Sequence, residues 1–290
     1  MAVKADTRCL LCQLERNIDT AKRLGTEEQA TAFAKDLMKM LADAPAGVPA
    51  PFFTPGVAEL FDKHYALGKD RYAREKEDSN AFVVARMDQL REKVFSASDP
   101  VKAGLQFAIL GNYIDFAALR DEVSFEKLDE MLRSALEMEL DEKNYVNLCE
   151  ELEKGGKLLY LTDNAGEIGF DRIFAEAIHA KYPQVDITFC VRGGPAANDA
   201  TRADAEAVGI PFKVIDNGNL VPGTMIELLG EEAREAMDSA DVILSKGQGN
   251  VETLLGCGYN IYYAFLVKCP IFVEKFGKEK LTPMLDRERS

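Results

Sequence analysis

The chain has 290 residues, 47% of them hydrophobic and 29% charged, and a formal net charge of −14. This composition is typical of a folded globular protein and excludes disordered and fibrous classes. The acidic charge disfavours nucleic acid as a partner and means that an anionic ligand needs a local positive centre, such as a bound cation.

The cysteines and the apolar runs bear on where the protein works. Six cysteines are too few for a disulfide scaffold in a chain of this length, so reduced thiols are expected. The N-terminus has no apolar segment long enough for a signal peptide, and the most apolar later run, residues 261–273, is interrupted by Lys268 and Pro270. We therefore expect a cytoplasmic protein with no membrane partner.

Residues 1–150 are predicted to form a helical domain, because apolar residues recur there at helical spacing. These positions are Phe33, Leu37 and Leu41, then Val83, Met87, Leu90 and Val94, and finally Leu128, Leu132 and Leu136. Asp99 and Pro100 form an N-cap and first-turn pair, so a helix is expected to begin there and to end near Gly111. Residues 43–56 contain four prolines and are predicted to form an extended connection.

The segment that ends this helix, residues 111–116 (GNYIDF), carries polar side chains. Asn112 and Asp115 lie where they could face the edge of a neighbouring sheet. The alternative is a helix C-cap with Asn112 in a left-handed conformation, which is common at helix ends.

Residues 151–290 are predicted to form an α/β domain. Short apolar runs alternate there with segments of helical composition, which is typical of parallel strands joined by crossover helices. The predicted strands are residues 157–162, 185–191, 212–215, 241–245 and 260–267, and the predicted helices between them are residues 169–182, 200–209 and 224–237. The expected architecture is a five-stranded, doubly wound sheet.

Polar residues follow four of the predicted strands. In chain order they are Asp163, Asn164 and Glu167, then Arg192, Asn198 and Asp199, then Asp216 and Asn217, and finally Ser245, Lys246, Gln248 and Asn250. Because the carboxyl ends of parallel strands share one edge of the sheet, these side chains could converge on one ligand.

Asp163 and Asn164 are candidate metal ligands. A carboxylate oxygen beside an amide oxygen favours Mg²⁺ or Mn²⁺ over zinc. Asp199, on the next strand, would supply the second carboxylate that a hard cation needs. The alternative is that Asp163 and Asn164, like Asn198 and Asp199, are N-caps of the helices that follow them.

Residues 245–250 (SKGQGN) are predicted to bind phosphate. Gly247 and Gly249 would free backbone N–H groups to face an anion, and Lys246 adds a positive charge. The Walker A and GxGxxG patterns are both absent, so the sequence lacks these nucleotide-binding fingerprints. The alternative is a plain glycine turn with an exposed lysine.

Cys9 and Cys12 form a single CxxC motif. A structural zinc site needs a second cysteine pair at short spacing, which the chain lacks. The motif also opens a helical region rather than a βαβ unit, so structural thiols are expected. His64 and His179 lie in predicted helices, which leaves general-base chemistry to carboxylates.

Five motifs in this order resemble the metal-dependent damage-control phosphatase family, formerly a numbered domain of unknown function and related to acidic residue methyltransferase 1. They are residues 9–12 (CLLC), 111–116, 163–167 (DNAGE), 192–201 (RGGPAANDAT) and 245–250. The CxxC resembles the microbial branch of the family. The resemblance implies a helical N-terminal domain on a Rossmann-like three-layer α/β/α domain. It also implies hydrolysis of sugar phosphates or phosphorylated cofactor intermediates with Mn²⁺, Co²⁺, Ni²⁺ or Mg²⁺, held by Asp163, Asn164 and Asp199.

The leading hypothesis is a phosphatase that hydrolyses a small phosphorylated metabolite by in-line attack of water, with the cation bound to a phosphate oxygen. Lys246 and the amides of Gly247 and Gly249 would hold the remaining phosphate oxygens. Glu167 or Asp115 would orient the water. The other predicted phosphate-binding residues are Asn112, Arg192, Ser245 and Asn250.

Three alternatives stay open. One is an aspartyl-phosphate route through Asp163, although the DxD pattern of haloacid dehalogenases is absent. The second is an S-adenosylmethionine-dependent methyltransferase, which the same architecture supports, but Arg192 stands where an acidic residue would contact a ribose. The third is a non-catalytic metal or metabolite sensor, which would bind Mn²⁺ without releasing phosphate. The sequence alone gives no oligomeric state.

Overall fold

A computed structural model describes residues 2–68, 70–115, 119 and 123–288. Phe116, the last residue of the GNYIDF segment, lies outside the described residues. The helices that precede the sheet are α1 (Thr7–Leu24), α2 (Glu27–Asp43), α3 (Thr54–Tyr65), α4 (Ala73–Val84), α5 (Met87–Phe95), α6 (Pro100–Gly111), α7 (Phe125–Arg133) and α8 (Glu142–Lys154). Short 3₁₀ turns occupy Ala50–Phe53 and Ala135–Glu137.

The second half of the chain alternates strands and helices. The elements are β1 (Gly156–Leu161), α9 (Glu167–Lys181), β2 (Val185–Val191), α10 (Arg202–Ala207), β3 (Lys213–Asp216), a 3₁₀ turn (Ile226–Leu228), α11 (Glu231–Ser239), β4 (Val242–Lys246), α12 (Gln248–Leu254), β5 (Ile261–Leu266), α13 (Pro270–Phe276) and β6 (Pro283–Arg287).

The described strands form one six-stranded sheet in the order β3-β2-β1-β4-β5-β6. Strands β1 to β5 are parallel, whereas β6 runs antiparallel to β5. At the centre, Leu161 of β1 is in register with Cys190 of β2 and with Ser245 of β4. The strands that lead to the predicted metal and phosphate segments are therefore neighbours.

Alternate residues of each strand enter two separate cores, because successive side chains point to opposite faces of a sheet. Leu158 and Tyr160 of β1 pack with residues of α4 to α10. Leu159 and Leu161 pack on the other face with residues of α11, α12 and α13. The predicted α/β fold, with a mainly parallel sheet between layers of helices, is confirmed.

The predicted division of the chain at residue 150 stays a prediction. Helices α4 to α8 share the core on one face of the sheet, and α6 packs along α9. Helices α1, α2 and α3 have a smaller core of their own, which contains Ala21, Ala30, Phe33, Leu37, Val57 and Phe61. Among the described helices, none is both long and apolar enough to span a membrane.

The predicted helix over residues 100–111 is confirmed. The Asp99 side chain accepts a hydrogen bond from the Lys102 N–H, Pro100 lies in the first turn, and the helix ends at Gly111. The apolar positions of the predicted stripes are buried or packed against a core, except for Leu136. That residue lies in a 3₁₀ turn beyond the end of α7 and is 49% exposed.

Three elements differ from expectation. Residues 43–56 are not extended throughout, since a proline is tolerated in the first turn of a helix and α3 begins at Thr54. The helix predicted over residues 224–237 is divided at Gly230, which is the extended N-cap of α11. Strand β6 was not predicted because only its central residue is buried, so it lacks an apolar run.

Candidate active site

The segments that follow β1 and β2 meet at the edge of the sheet. Asn164 and Asp199 form an antiparallel β-bridge. Beside it, the Ala200 N–H donates to the Asp163 carbonyl at 2.7 Å. The three predicted metal ligands are therefore held in one cluster by backbone pairing.

The polar pairs in these segments do not cap the helices that follow. Helix α9 has Gly166 at its N-cap position. Helix α10 has Thr201, which forms a capping box with Asp204. The N-cap alternative for the two polar pairs is therefore wrong.

Neighbouring side chains orient the two candidate carboxylates. Asn112 and Asn164 donate their Nδ2 groups to Oδ2 of Asp163 at 2.9 and 2.8 Å. Arg192 donates Nε to Oδ2 of Asp199 at 2.6 Å. Hydrogen bonds of this kind fix the geometry of a carboxylate before a cation binds.

The two carboxylates are difficult to ionise without a cation. Burial, together with repulsion from Asp199 and Glu167, raises the pKa of Asp163 well above its ordinary value. Burial also raises the pKa of Asp199 to about 6, although Arg192 opposes that rise. A divalent cation between the carboxylates would stabilise their charged forms, so the cluster fits a hard cation.

The candidate site depends on an amide as its third protein donor. In the part of the chain that the structure describes, no three His, Cys, Asp or Glu side chains are grouped so that they could hold a metal ion. The cluster has two carboxylates and the Asn164 amide. The remaining ligands of a six-coordinate cation would come from solvent or substrate.

Residue 247 must be glycine, because the Asp163 side chain occupies the space that a Cβ would need. It follows β4 with a φ of +75°, and a Cβ at this residue would lie 1.9 Å from Oδ2 of Asp163. Its N–H donates to the Ala264 carbonyl at 3.2 Å. We therefore correct the expectation that this amide faces a phosphate, because it is already used within the sheet.

Lys246, the last residue of β4, points beneath the site. It is fully buried, and its Nζ donates to the Ala108 carbonyl at 2.9 Å, to Oε1 of Glu167 at 2.6 Å and to Oδ1 of Asp171 at 2.9 Å. Burial lowers the pKa of Lys246, but the two carboxylates outweigh it and hold the pKa above its ordinary value. All three N–H donors of the ammonium group are used within the protein, so we correct the expectation that Lys246 contacts phosphate. The alternative of an exposed lysine is also wrong, because the side chain is buried.

Glu167 and Asn112 form a buried layer behind the candidate ligands. Oε2 of Glu167 accepts hydrogen bonds from Nδ2 of Asn112 and of Asn164, at 2.9 and 2.8 Å. Oδ1 of Asn112 accepts the Leu266 N–H at 3.0 Å. Neither side chain lines the cavity described below. We therefore correct the predictions that Glu167 orients water and that Asn112 binds phosphate, because both side chains instead hold the candidate ligands in place. Asn112 does cap α6, but in a right-handed conformation with φ −63°.

Arg192, Asn250 and Ser245 also lie behind the cavity wall, and all three are buried. Arg192 donates Nη2 to the Thr162 carbonyl at 3.0 Å and to Oδ1 of Asn250 at 3.3 Å. Asn250 donates Nδ2 to the carbonyls of Thr162 and Lys246, at 3.0 and 2.7 Å. We therefore correct the prediction that these three residues contact phosphate, since none of them lines the cavity. Arg192 and Asn250 instead link the ends of β1, β2 and β4.

The predicted glycine loop is the start of a helix. Gly247 is the N-cap of α12, and Gly249 lies in its first turn and lines the cavity. The first N–H groups of a helix have no acceptor within the helix. Gly249 therefore stays a candidate to bind a phosphate oxygen.

Asp115 and Lys268 place an ion pair in the cavity wall. Nζ of Lys268 donates to Oδ2 of Asp115 at 2.7 Å. Oε1 of Gln248 accepts the Lys268 N–H at 3.0 Å. Lys268 was not predicted as a site residue, because candidates were taken only from the ends of the first four predicted strands and Lys268 follows β5. The same edge rule, applied to β5, would have found it.

A cavity of about 1070 Å³ separates the sheet edge from the N-terminal helices. Its lining includes Asp115, Asp163, Asn164, Asp199, Gly249 and Lys268, together with residues of α1, of α13 and of the segment before α4. Cys9 and Cys12 line it as well, beside Cys269, and all three are free thiols. The CxxC motif thus lines the same cavity as the candidate ligands.

A comparison with known families matches residues 5–282 to the model of the damage-control phosphatase ARMT1-like domain. The chain belongs to this family. The resemblance to this family that the five motifs carry is therefore confirmed.

Relatives of this family member include archaeal proteins. An uncharacterized protein of Methanocaldococcus jannaschii is 32% identical over 289 residues, 95% of this chain and 93% of that protein. A damage-control phosphatase of Archaeoglobus fulgidus is 32% identical over 215 residues, 72% and 73% of the two chains. A damage-control phosphatase of Pyrococcus horikoshii is 36% identical over 170 residues, 57% and 58% of the two chains.

The fold is also found in a solved structure. The crystal structure of a DUF89 family protein from Pyrococcus horikoshii aligns with a TM-score of 0.83 and 28% identity. The alignment covers 99% of this chain and 100% of that one. The helical region and the sheet thus occur together in a member of the same family.

Proposed function

We propose that this protein is a divalent-metal-dependent phosphatase that hydrolyses a small phosphate ester, with a role in metabolite damage control. The observation that carries the proposal is the bridge between Asn164 and Asp199, which sets two carboxylates and an amide oxygen on one wall of a cavity. The relatives named damage-control phosphatases support the reaction class.

Asp163, Asn164 and Asp199 would hold the cation, which is Mn²⁺, Co²⁺, Ni²⁺ or Mg²⁺. When bound, such a cation neutralises charge on the phosphoryl oxygens and lowers the pKa of a bound water. The buried layer formed by Asn112 and Glu167 keeps the ligands in place.

Other groups at the sheet edge would act on the substrate directly. Asp115 lines the cavity, and its carboxylate would orient the attacking water. Lys268 holds that carboxylate at 2.7 Å and adds a positive charge beside the phosphate. The Gly249 N–H would bind a phosphoryl oxygen, as helix N-terminal amides do. These groups suit in-line transfer to water, which depends on positioning and charge stabilisation.

The proposal is tested by a phosphate-release assay over sugar phosphates and phosphorylated cofactor intermediates, with each cation in turn. We expect EDTA to abolish release and Mn²⁺ to restore it. Asp163→Ala and Asp199→Ala should each lose at least a hundredfold in metal-dependent release. The matched control is Asp216→Asn at the end of β3, whose carboxylate pairs with Arg202 outside the cavity. Wild-type rates in either Asp→Ala variant would overturn the site.

The two rival functions give different results with the same protein. A rise in melting temperature with S-adenosylmethionine, but not with Mn²⁺, would indicate a methyltransferase. A rise with Mn²⁺ and no phosphate release from any substrate would indicate a sensor.

A further inference from the structure

Glu252 adds a further carboxylate to the cavity, on helix α12. It is partly buried and lines the cavity together with Asp163 and Asp199. The N-cap of α12, Gly247, packs against the Asp163 carboxylate. Because a helix rises about 1.5 Å per residue, Glu252 lies roughly 7–8 Å further along the helix axis from this point. The carboxyl group is thus in the same cavity as the candidate metal ligands but separate from them.

The Gln248 side chain fixes the position of Glu252. Oε1 of Gln248 accepts the N–H groups of Lys268 and Cys269, at 3.0 and 3.2 Å. Both partners are donors, so the amide oxygen must face them, and Nε2 is left to donate to Oε1 of Glu252 at 3.1 Å. Oε2 of Glu252 has no hydrogen-bond partner among the described residues. One carboxyl oxygen is therefore held as an acceptor, and the other is left to carry a proton.

The described part of the chain supplies no cation to Glu252. Asp115, in the same cavity, differs in this respect, because Nζ of Lys268 lies 2.7 Å from its Oδ2. An ammonium partner favours the charged form of a carboxyl group, whereas desolvation without such a partner favours the neutral form. The two carboxyl groups are therefore suited to opposite roles in proton transfer.

The groups around Glu252 determine when it is protonated. Desolvation raises its pKa to about 7, the hydrogen bond from Gln248 opposes that rise, and the charge of Asp115 adds to it. Two thiols lie near it, those of Cys9 and Cys269. Burial, and also the charge of Glu252, raises the pKa of each thiol, so both are uncharged at neutral pH. The charge that acts on Glu252 within the described residues is therefore that of Asp115.

We propose that Glu252 is the general acid of the phosphatase reaction and gives its carboxyl proton to the ester oxygen of the leaving alcohol. The inference rests on the proposed phosphatase function and assigns the step that releases the alcohol. The oxygen of the attacking water bonds to phosphorus, and the water gives a proton to Asp115. The bond between phosphorus and the ester oxygen breaks, its electron pair stays on that oxygen, and the oxygen takes the proton of Glu252. Solvent then removes the proton from Asp115 and returns one to Glu252, so the net reaction consumes one water.

The test compares two leaving groups in the metal-loaded protein, with Mn²⁺ in excess. One ester is the sugar phosphate that is hydrolysed fastest in the phosphate-release assay, and the other is p-nitrophenyl phosphate. An alcohol would leave as a strongly basic anion and needs a proton, whereas p-nitrophenolate is stable enough to leave without one. We expect Glu252→Gln to lower kcat for the sugar phosphate about a hundredfold or more. The loss for p-nitrophenyl phosphate should be less than about threefold, because no general acid is needed.

The pH profile of kcat gives a second measurement. For the sugar phosphate, the rate of the wild-type protein should fall between pH 6 and pH 9, since the reaction needs protonated Glu252. The slower rate of Glu252→Gln should lack this fall. The matched control is Glu75→Gln, the same chemical change at another partly buried glutamate that lines the cavity, on α4. The control should match the wild type with both esters, and thermal melts would check that each variant is folded.

The outcomes separate this inference from the proposed function. Equal losses for the two esters, or wild-type rates in Glu252→Gln, would overturn the inference and leave the phosphatase intact. If the wild type does not hydrolyse p-nitrophenyl phosphate, the pH profile with the sugar phosphate decides, and a fall that persists in Glu252→Gln overturns the inference. If no ester releases phosphate with any cation, the proposed function and the general acid both fail.

Discussion

Gly247 leaves no room for a side chain beside Asp163, since a Cβ would lie 1.9 Å from its Oδ2. We expect Gly247→Ala to displace that carboxylate and to reduce metal-dependent phosphate release at least a hundredfold. The matched control is Gly258→Ala, because Gly258 also has a positive φ, +88°, but nothing described lies within 4 Å of a Cβ there. The control carries only left-handed strain, about 1–2 kcal/mol. Equal losses of activity in both variants would contradict the steric explanation.

Lys246 gives a second test at the scale of one residue. Lys246→Met removes the partner of two buried carboxylates, those of Glu167 and Asp171. We expect the free energy of unfolding, measured with urea, to fall by about 3–5 kcal/mol, the usual cost of breaking a buried ion pair. Lys213→Met, which removes an exposed pair with Glu232, should cost less than about 1 kcal/mol.

The result for Lys246 also separates two interpretations of the residue. A Lys246→Met protein that unfolds like the wild type but binds phosphate esters more weakly would favour a direct phosphate contact. Loss of stability favours the supporting role that its three hydrogen bonds indicate.

At the scale of elements, α4 connects the helical region to the loop after β1 and to helix α10, which follows the loop after β2. Oδ1 of Asn80 accepts the Gly166 N–H at 2.7 Å, and its Nδ2 donates to Oδ1 of Asp204 at 2.8 Å. We expect Asn80→Ala to leave two buried groups unsatisfied and to lower the free energy of unfolding by about 2–3 kcal/mol. Calorimetry should also show weaker Mn²⁺ binding, because the loop after β1 and helix α10 both lose an anchor.

The control for Asn80 lies on the exposed face of the same helix. Asp78→Ala removes only a long i,i+4 pair with Arg74 and should change stability by less than about 0.5 kcal/mol. If Asn80→Ala behaved like this control in urea and in Mn²⁺ titration, the link between α4 and the site would be unimportant.

The periodicity of the sequence was sufficient to predict the strands and the edge where the site lies. Five apolar runs indicated parallel strands, and the shared edge of such strands predicted that Asp163 and Asp199 lie together, as their loops do. Strand β6 escaped this reasoning because its side chains are mostly half-buried at the edge of the sheet.

The direction of each side chain at that edge could not be predicted from local pattern. Lys246 follows an apolar strand just as Asp163 does, yet it points into the core, where Glu167 and Asp171 lie on a helix that follows a different strand. The face of α1 that lines the cavity could not be predicted for a related reason. Nothing in the pattern of α1 indicates which of its faces lines the cavity, since that depends on packing between segments that are far apart in the chain.

Carboxylates with raised pKa values make the stability of the whole molecule depend on pH. Burial raises the pKa of Glu252 to about 7, and burial, only partly offset by Lys246, raises the pKa of Asp171 to about 7. When the pKa of a carboxyl group is higher in the folded state than in the unfolded state, the protonated group stabilises the fold. This stabilisation is complete below the pKa of the unfolded state, near 4, and is lost as the pH rises through the pKa of the folded state. We therefore expect the free energy of unfolding to fall between pH 5 and pH 8, by on the order of 1–3 kcal/mol.

Glu252→Gln isolates one part of this pH dependence. The variant should lose less stability than the wild type between pH 5 and pH 8, whereas Glu59→Gln, at an exposed position of α3, should not differ from the wild type. Urea unfolding in EDTA at both pH values is the measurement. Stability that rises from pH 5 to pH 8 would show that the sign is wrong.

The position of Cys12 has a practical consequence for identifying the ligand. This exposed thiol lines the cavity and lies one helical turn before Arg16 on the same face of α1. Small thiol-reactive fragments captured at Cys12 would be held beside Arg16 in the cavity, and measurement of the intact-protein mass would identify the fragments that stay bound. Such a tethering screen depends on proximity alone, so it can find chemical groups that fit the cavity before any reaction is known.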